Sequence, residues 1–319
     1  MLGPAAPTPF DPSVLRHYSA LRRSGVDPQR APGWHRVRRG VWMPGAAWAV
    51  LTPEQRHAAL VHATAMVCGD EPAHVFALES AAAVWGLPRV EDWPTWVRTL
   101  VTSGRPRGSV GVRPFVGPDA EVVLVDGVLV TSVARTVVDL ARGGSLASAV
   151  AAADHALRYG LCSTTAMRAE ADAVPRRVRG RPAAGLVVDL ADGDSMSVGE
   201  SLSRVQMFQL GLPRPRLQVE HVDELGCIGF VDFDWGGVIG EFDGKVKYRV
   251  PTDADPREAA EILWREKKRE DRLRVGSRVA RWTWDVALDR DRLGQVLATH
   301  GIRPVRRGSW FDLAATRGA

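Results

Sequence analysis

Between Val231 and Tyr248 the chain reads VDFDWGGVIGEFDGKVKY, with four carboxylates, Asp232, Asp234, Glu241 and Asp243, and two lysines, Lys245 and Lys247. Apolar residues alternate with them as on a β-strand, where residues two apart share a face. Glu241, Asp243 and Lys245 therefore form one row, and Asp232 and Asp234 a second pair beyond the turn at Gly236-Gly237. A buried row of like charges is costly unless something neutralises it. A divalent cation such as Mg²⁺ or Mn²⁺, which takes hard oxygen ligands, is one such neutraliser. The plainer reading is a solvated hairpin on which Glu241 pairs with Lys245, a surface interaction worth under ~1 kcal/mol. Val238, Ile239 and Phe242 argue instead for a strand inside the domain.

The elements around this stretch follow from spacing. Ser195 to His221 holds a helix with Leu202, Val205, Phe208 and Leu210 near one face, ended by Gly211 and Pro213, and then a strand from Leu217 to His221. Asp255 to Gly276 reads as a long charged helix with Asp255 as N-cap and Pro256 as first residue. Arg278 to Trp284 alternates as a strand, with Trp282 and Trp284 as core residues. The order is helix, three strands, helix, strand.

This pattern resembles the PD-(D/E)XK nuclease superfamily. Asp243-Gly244-Lys245 matches its acid-spacer-lysine motif literally. Val231-Asp232-Phe233 followed by Glu241-Phe242-Asp243-Gly244 matches its very-short-patch-repair (Vsr-like) branch, and is the better fit. The resemblance covers Ser195 to Trp284. It implies a restriction-endonuclease-like αβββαβ domain over 195–319. It also implies Mg²⁺- or Mn²⁺-dependent hydrolysis of phosphodiesters, with Asp232, Glu241, Asp243 and Glu200 as metal ligands. Lys245 would then take the lysine role, with Lys247, Lys267 and Lys268 contacting phosphates. Two departures count against catalysis. Asp243 stands where the lysine usually follows the second acid, and Lys247-Tyr248 stands where the branch often has a histidine.

Upstream, Pro12 to Arg23 reads as a short helix and Trp34 to Pro44 as a basic hairpin bearing Arg36, Arg38 and Arg39. Residues 1–50 thus suggest a reduced winged-helix module. The segment resembles the R-x-x-R-G-V-Y-x-P string of AbiEi-type antitoxins, with Trp42 in place of tyrosine. The resemblance continues through an α/β middle domain, 51–160. There Thr52 and Gln55 form a capping box, Ala77 to Pro88 is an Ala-rich helix, and Asp126-Gly127 marks a hairpin turn. Arg135 and Asp139 are four apart on a helix and read as a structural pair. Residues 161–194 form a helical, basic connector whose arginines face nucleic acid or solvent. The resemblance implies DNA as partner, with a cognate toxin or self-association as further partners.

The chain's 319 residues suffice for two domains, and 45% hydrophobic with 25% charged residues is an ordinary globular balance. A net charge of +5 permits nucleic-acid binding without requiring it. All four lysines lie in or just after the acidic hairpin region. No apolar run reaches the ~18 residues of a membrane span, and Met1 to Pro12 lacks the pattern of a signal peptide. Cys68, Cys162 and Cys227 are scattered, which argues for a reducing cytoplasm and against structural zinc. Two functions compete: a metal-dependent DNA endonuclease in repair, defence or a toxin–antitoxin setting, and a non-catalytic DNA-binding regulator on a degenerate nuclease fold.

Overall fold

Gly40, at φ 92°, reverses the chain between two strands of a small antiparallel sheet, a backbone conformation that favours glycine. The computed structural model describes residues 8–68, 74–102, 110–244, 256–305 and 310–311. The fold is mixed α+β, in two compact units, 1–191 and 192–319.

The first unit opens with a 3-10 turn at Pro12–Val14, then β1 (Arg16–His17), α1 (Tyr18–Arg23), β2 (Trp34–Arg38), β3 (Val41–Pro44) and α2 (Gly45–Ala49). The helix expected over 12–23 is split because Arg16 and His17 pair with Trp42 and Val41, which holds them extended. The sheet order is β1-β3-β2, and Val41 and Met43 pack against Ala58, Ala59 and Ala63 of α3 (Pro53–Cys68). The capping box that starts α3 is present: the Thr52 amide donates to Gln55 Oε1 at 3.0 Å, and the Gln55 amide to Thr52 Oγ1 at 3.3 Å.

A five-stranded sheet follows, built from β4 (Val75–Phe76), β5 (Val97–Val101), β6 (Val112–Val116), β7 (Val122–Val125) and β8 (Val128–Thr131) in the order β6-β5-β4-β8-β7. Asp126 and Gly127, both at positive φ, make the tight β7–β8 turn. Helices α4 (Leu78–Trp85), α5 (Val133–Gly143), α6 (Leu146–Arg158), α7 (Thr164–Ala173) and α8 (Arg181–Leu190) complete the unit. Residues expected as a connector thus form α7 and α8, both packed on α5. Within α5 the fully buried Asp139 accepts from Arg135 Nε at 2.7 Å and Arg142 Nη1 at 2.6 Å. Arg135 also donates to the carbonyls of Pro118 and Asp119, so the pair is a structural strut between helix and loop.

The second unit runs α9 (Val198–Gln209), β9 (Arg216–Asp223), β10 (Gly226–Asp234), β11 (Val238–Asp243), α10 (Pro256–Gly276), β12 (Arg278–Thr283), α11 (Trp284–Ala287) and α12 (Arg290–Thr299). The sheet order is β12-β11-β10-β9, antiparallel except for the parallel pair β11 and β12. Leu273 of α10 joins Val231, Ile239 and Val279 in one core. On the other face, Trp282 Nε1 donates to Ser203 Oγ of α9 at 2.8 Å. Gly199 lets α9 close on β11, since a Cβ there would lie 2.0 Å from the Phe242 ring. The two helices therefore sandwich the strands that carry the acidic row.

Candidate functional site

Where β10 and β11 part, the acidic row separates into two networks. The β10–β11 pairing comprises Asp234 with Ile239 and Phe233 with Gly240. Beyond it, Asp232 Oδ2 accepts from the Phe242 amide at 2.8 Å, so a side chain takes over where the backbone ladder stops.

The first network joins α9 to β10 through β9. Ser197 caps α9, and Glu200, three residues on, turns its carboxylate back: Oε1 accepts from Ser197 Oγ at 2.8 Å and Oε2 from the Met196 amide at 2.8 Å. This capping arrangement explains why Glu200 is buried in the first turn, where the helix dipole also favours a negative charge. The Gln218 carboxamide donates to Glu200 Oε2 at 3.3 Å and to Asp232 Oδ1 at 3.5 Å. Gln218 has φ 47°, rare for a residue other than glycine. Its bridging role leaves no trace in the sequence, because it depends on that break in an otherwise regular strand.

The second network surrounds Glu241. Both of its oxygens are clasped by guanidinium groups, Arg269 on α10 at 2.8 Å and Arg281 on β12 at 2.9 Å. Glu266 bridges the same two arginines, at 3.3 and 2.9 Å, and Glu270 lies 3.4 Å from Arg281. Burial works against the charged form of Arg269 and Arg281, but their carboxylate partners prevail and push both further up. The Glu241 side chain is only 12% exposed, so these charge-assisted bonds are partly shielded from water. Arg281 was traceable in sequence: RVARWTW puts it on the face opposite Trp282, and β12 pairs Glu241 with Arg281 directly.

The remaining acids diverge. Asp243 pairs with Thr283 across β11–β12, and its Oδ1 is buried without a hydrogen-bond partner. Asp234 accepts from Arg216 at 3.0 Å, His221 at 2.7 Å and the Gly236 amide at 2.6 Å. Burial raises the Asp234 carboxyl pKa, but these donors outweigh it and hold the group below the usual carboxylate value.

This donor set bears on the expected Mg²⁺ or Mn²⁺ site. Among the described residues no three Asp, Glu, His or Cys side chains are grouped to hold a metal ion. Glu241 has its charge balanced by arginine, and Glu200 and Asp232 share an amide donor. As arranged, these residues do not fit a divalent cation. Lys245 and Lys247 lie outside the described residues, while Lys267 and Lys268 are exposed on α10, Lys268 Nζ 5.2 Å from the Trp264 ring. In the first unit Arg36 and Arg39 are exposed at the β2–β3 hairpin. Arg38 turns inward, donating to Thr64 Oγ1 at 2.6 Å and the Val110 carbonyl at 3.1 Å.

No family model matches the chain. Over 161 residues it is 34% identical to an uncharacterized protein of Mycobacterium tuberculosis strain H37Rv and, equally, to one of strain CDC 1551 / Oshkosh. The match covers 50% of this chain and 58% of each relative, so it spans little more than half of their length. Among the described residues no helix is long and apolar enough to cross a membrane.

Proposed function

We propose that the protein is a DNA-binding regulator: a basic hairpin module of winged-helix type, followed by a second unit of restriction-endonuclease-like architecture that binds without cutting. The observation that carries the binding is the β2–β3 hairpin, with Arg36 and Arg39 exposed while the intervening Arg38 braces it from inside. Arginines on a rigid hairpin contact phosphates, which positions a protein on a duplex without reading its sequence. The restriction-endonuclease likeness is supported by the helix, three antiparallel strands, helix and parallel strand of the second unit. The non-catalytic reading is supported by Glu241 being neutralised by two arginines.

The test is a gel shift on duplex DNA across a salt series. Arg36→Ala with Arg39→Ala should weaken binding and lower the slope of log affinity against log salt by about two. An unchanged slope would remove the hairpin from the interface.

A hydrolytic second reading is favoured by one observation, the buried and unpartnered Oδ1 of Asp243, the residue after the Phe242 whose amide Asp232 holds. In that reading Asp232, Asp243 and Glu200 are the residues to examine. A cognate toxin or a second copy of the chain remains the proposed protein partner of an antitoxin-like regulator.

A further inference from the structure

At the turn end of the second unit's sheet, a cleft of about 430 Å³ opens beside the β10–β11 turn. Arg214, Arg216 and Arg303 line it on the charged side, and Trp235, Ile302 and Val305 supply apolar surface. One carboxylate, Asp234, also borders it, so the charged lining is three cations to one anion. Asp234 is its single tie to the acidic row, and the basic hairpin takes no part in it.

Its construction is specific. Asp234 is 3% exposed and ties the two walls together, since the same Oδ1 accepts from Arg216 on β9 and from the Gly236 amide in the turn. His221 holds its other oxygen at 2.7 Å. Arg214 is anchored by Asp192 at 3.1 Å and by the Trp310 carbonyl at 3.1 Å. Arg303 is anchored on the Ala298 carbonyl at 2.5 Å. The Trp235 ring is fixed by its Nε1 donating to the Pro213 carbonyl at 3.0 Å and by stacking on Phe233. A guanidinium presents five donors in a planar fork, so anchoring fixes the plane in which it meets an oxyanion. Pre-positioned groups bind at lower entropic cost than free ones. Gly236 and Gly301, both at positive φ, also border the cleft.

We propose that this cleft binds one nucleotide unit, with the phosphate on Arg216 and Arg303 and the base against the Trp235 and Ile302 surface. Positive charge beside a fixed aromatic plane is the combination by which proteins hold unpaired nucleotides. Asp234 is then a positioning residue for Arg216 and the turn. The phosphate and base chemistry is shared by an unpaired nucleotide of a strand and by a free mononucleotide. The inference does not depend on the hairpin reading, since all of these residues belong to the second unit.

The experiment uses the full chain and fluorescence anisotropy with a single-stranded dT12, a blunt duplex, thymidine monophosphate and inorganic phosphate. Arg216→Met with Arg303→Met should weaken dT12 binding roughly tenfold, leave duplex binding within about twofold, and lower the single-strand salt slope. Asp234→Asn should reproduce part of the loss, while Arg36→Ala with Arg39→Ala should spare dT12. Competition by thymidine monophosphate at sub-millimolar level assigns the cleft to free nucleotides, and its failure to compete with dT12 assigns it to a strand. The proposal is overturned if dT12 and thymidine monophosphate both fail to bind, if the double variant binds dT12 as the parent does, or if phosphate displaces dT12 at sub-millimolar level. Melting curves for each variant guard against loss of fold, and Arg303→Met, at an exposed position, carries the test if Arg216→Met unfolds.

Discussion

Glu241 poses a question of sign. A carboxylate kept to bind a metal sits among other negative charges, so removing it relieves repulsion and stabilises the metal-free protein. A carboxylate clasped by two arginines does the reverse, because its loss strands two half-buried cations. Arg269 and Arg281 are each about a quarter exposed, and Glu266 and Glu270 remain to share them, which softens the penalty. Glu241→Ala should therefore destabilise the protein by about 2 kcal/mol, below the figure for a fully buried pair. Glu241→Gln, which keeps the shape and one acceptor, should cost less. Denaturant unfolding in EDTA measures this directly, and a stabilised Glu241→Ala protein would reinstate the carboxylate as part of an acidic cation site.

At the scale of elements, α3 carries two buried histidines whose behaviour with pH follows from burial. Burial lowers His57 from 6.5 to about 4, with the Pro94 carbonyl opposing and Arg89 adding to the effect. Burial likewise takes His62 to about 4, opposed by Asp126. Both folded values lie below the unfolded one. Above pH 6.5 the rings are neutral in both states and stability is complete. Between 6.5 and 4 the unfolded chain takes up protons that the folded chain refuses, so stability falls as pH falls. Each histidine contributes up to about 1.4 kcal/mol per pH unit in that window. Unfolding at pH 7.5 and 5.0 should show a marked loss, and His57→Gln should shrink it by roughly a third, because burial lowers His155 of α6 to about 4 as well. A variant with the parent's full pH dependence would place the acid sensitivity elsewhere. The elements themselves were largely readable from spacing and caps. Thr52 and Gln55 start α3 as a capping box, and the alternation of Val238 to Asp243 marks β11. Tertiary pairing escaped that reading. β1 exists because β3 holds it, Gln218 reaches two carboxylates only through a left-handed backbone, and Arg269 meets Glu241 from a helix 28 residues further on.

For the whole molecule, the decisive property is whether the proposed action on DNA needs a divalent cation. Four carboxylates in a row at 232–243 look like a metal site when only their order is known, because sequence does not show where each charge finds its partner. In the folded chain arginine and amide donors reach Asp232, Asp234 and Glu241. A protein so arranged should bind duplex DNA equally in EDTA and in Mg²⁺, apart from ordinary ionic-strength effects. It should leave supercoiled plasmid intact in Mg²⁺ or Mn²⁺ over hours. The parent is assayed beside Asp232→Ala and Asp243→Ala, with nicking and gel shift read from the same mixtures. Binding without nicking in all three supports the regulator. Nicking by the parent that needs the cation and disappears in both variants would show that the acidic row rearranges around metal on DNA. It would also make the arginine clasp on Glu241 a support for catalysis, not a substitute for the ion.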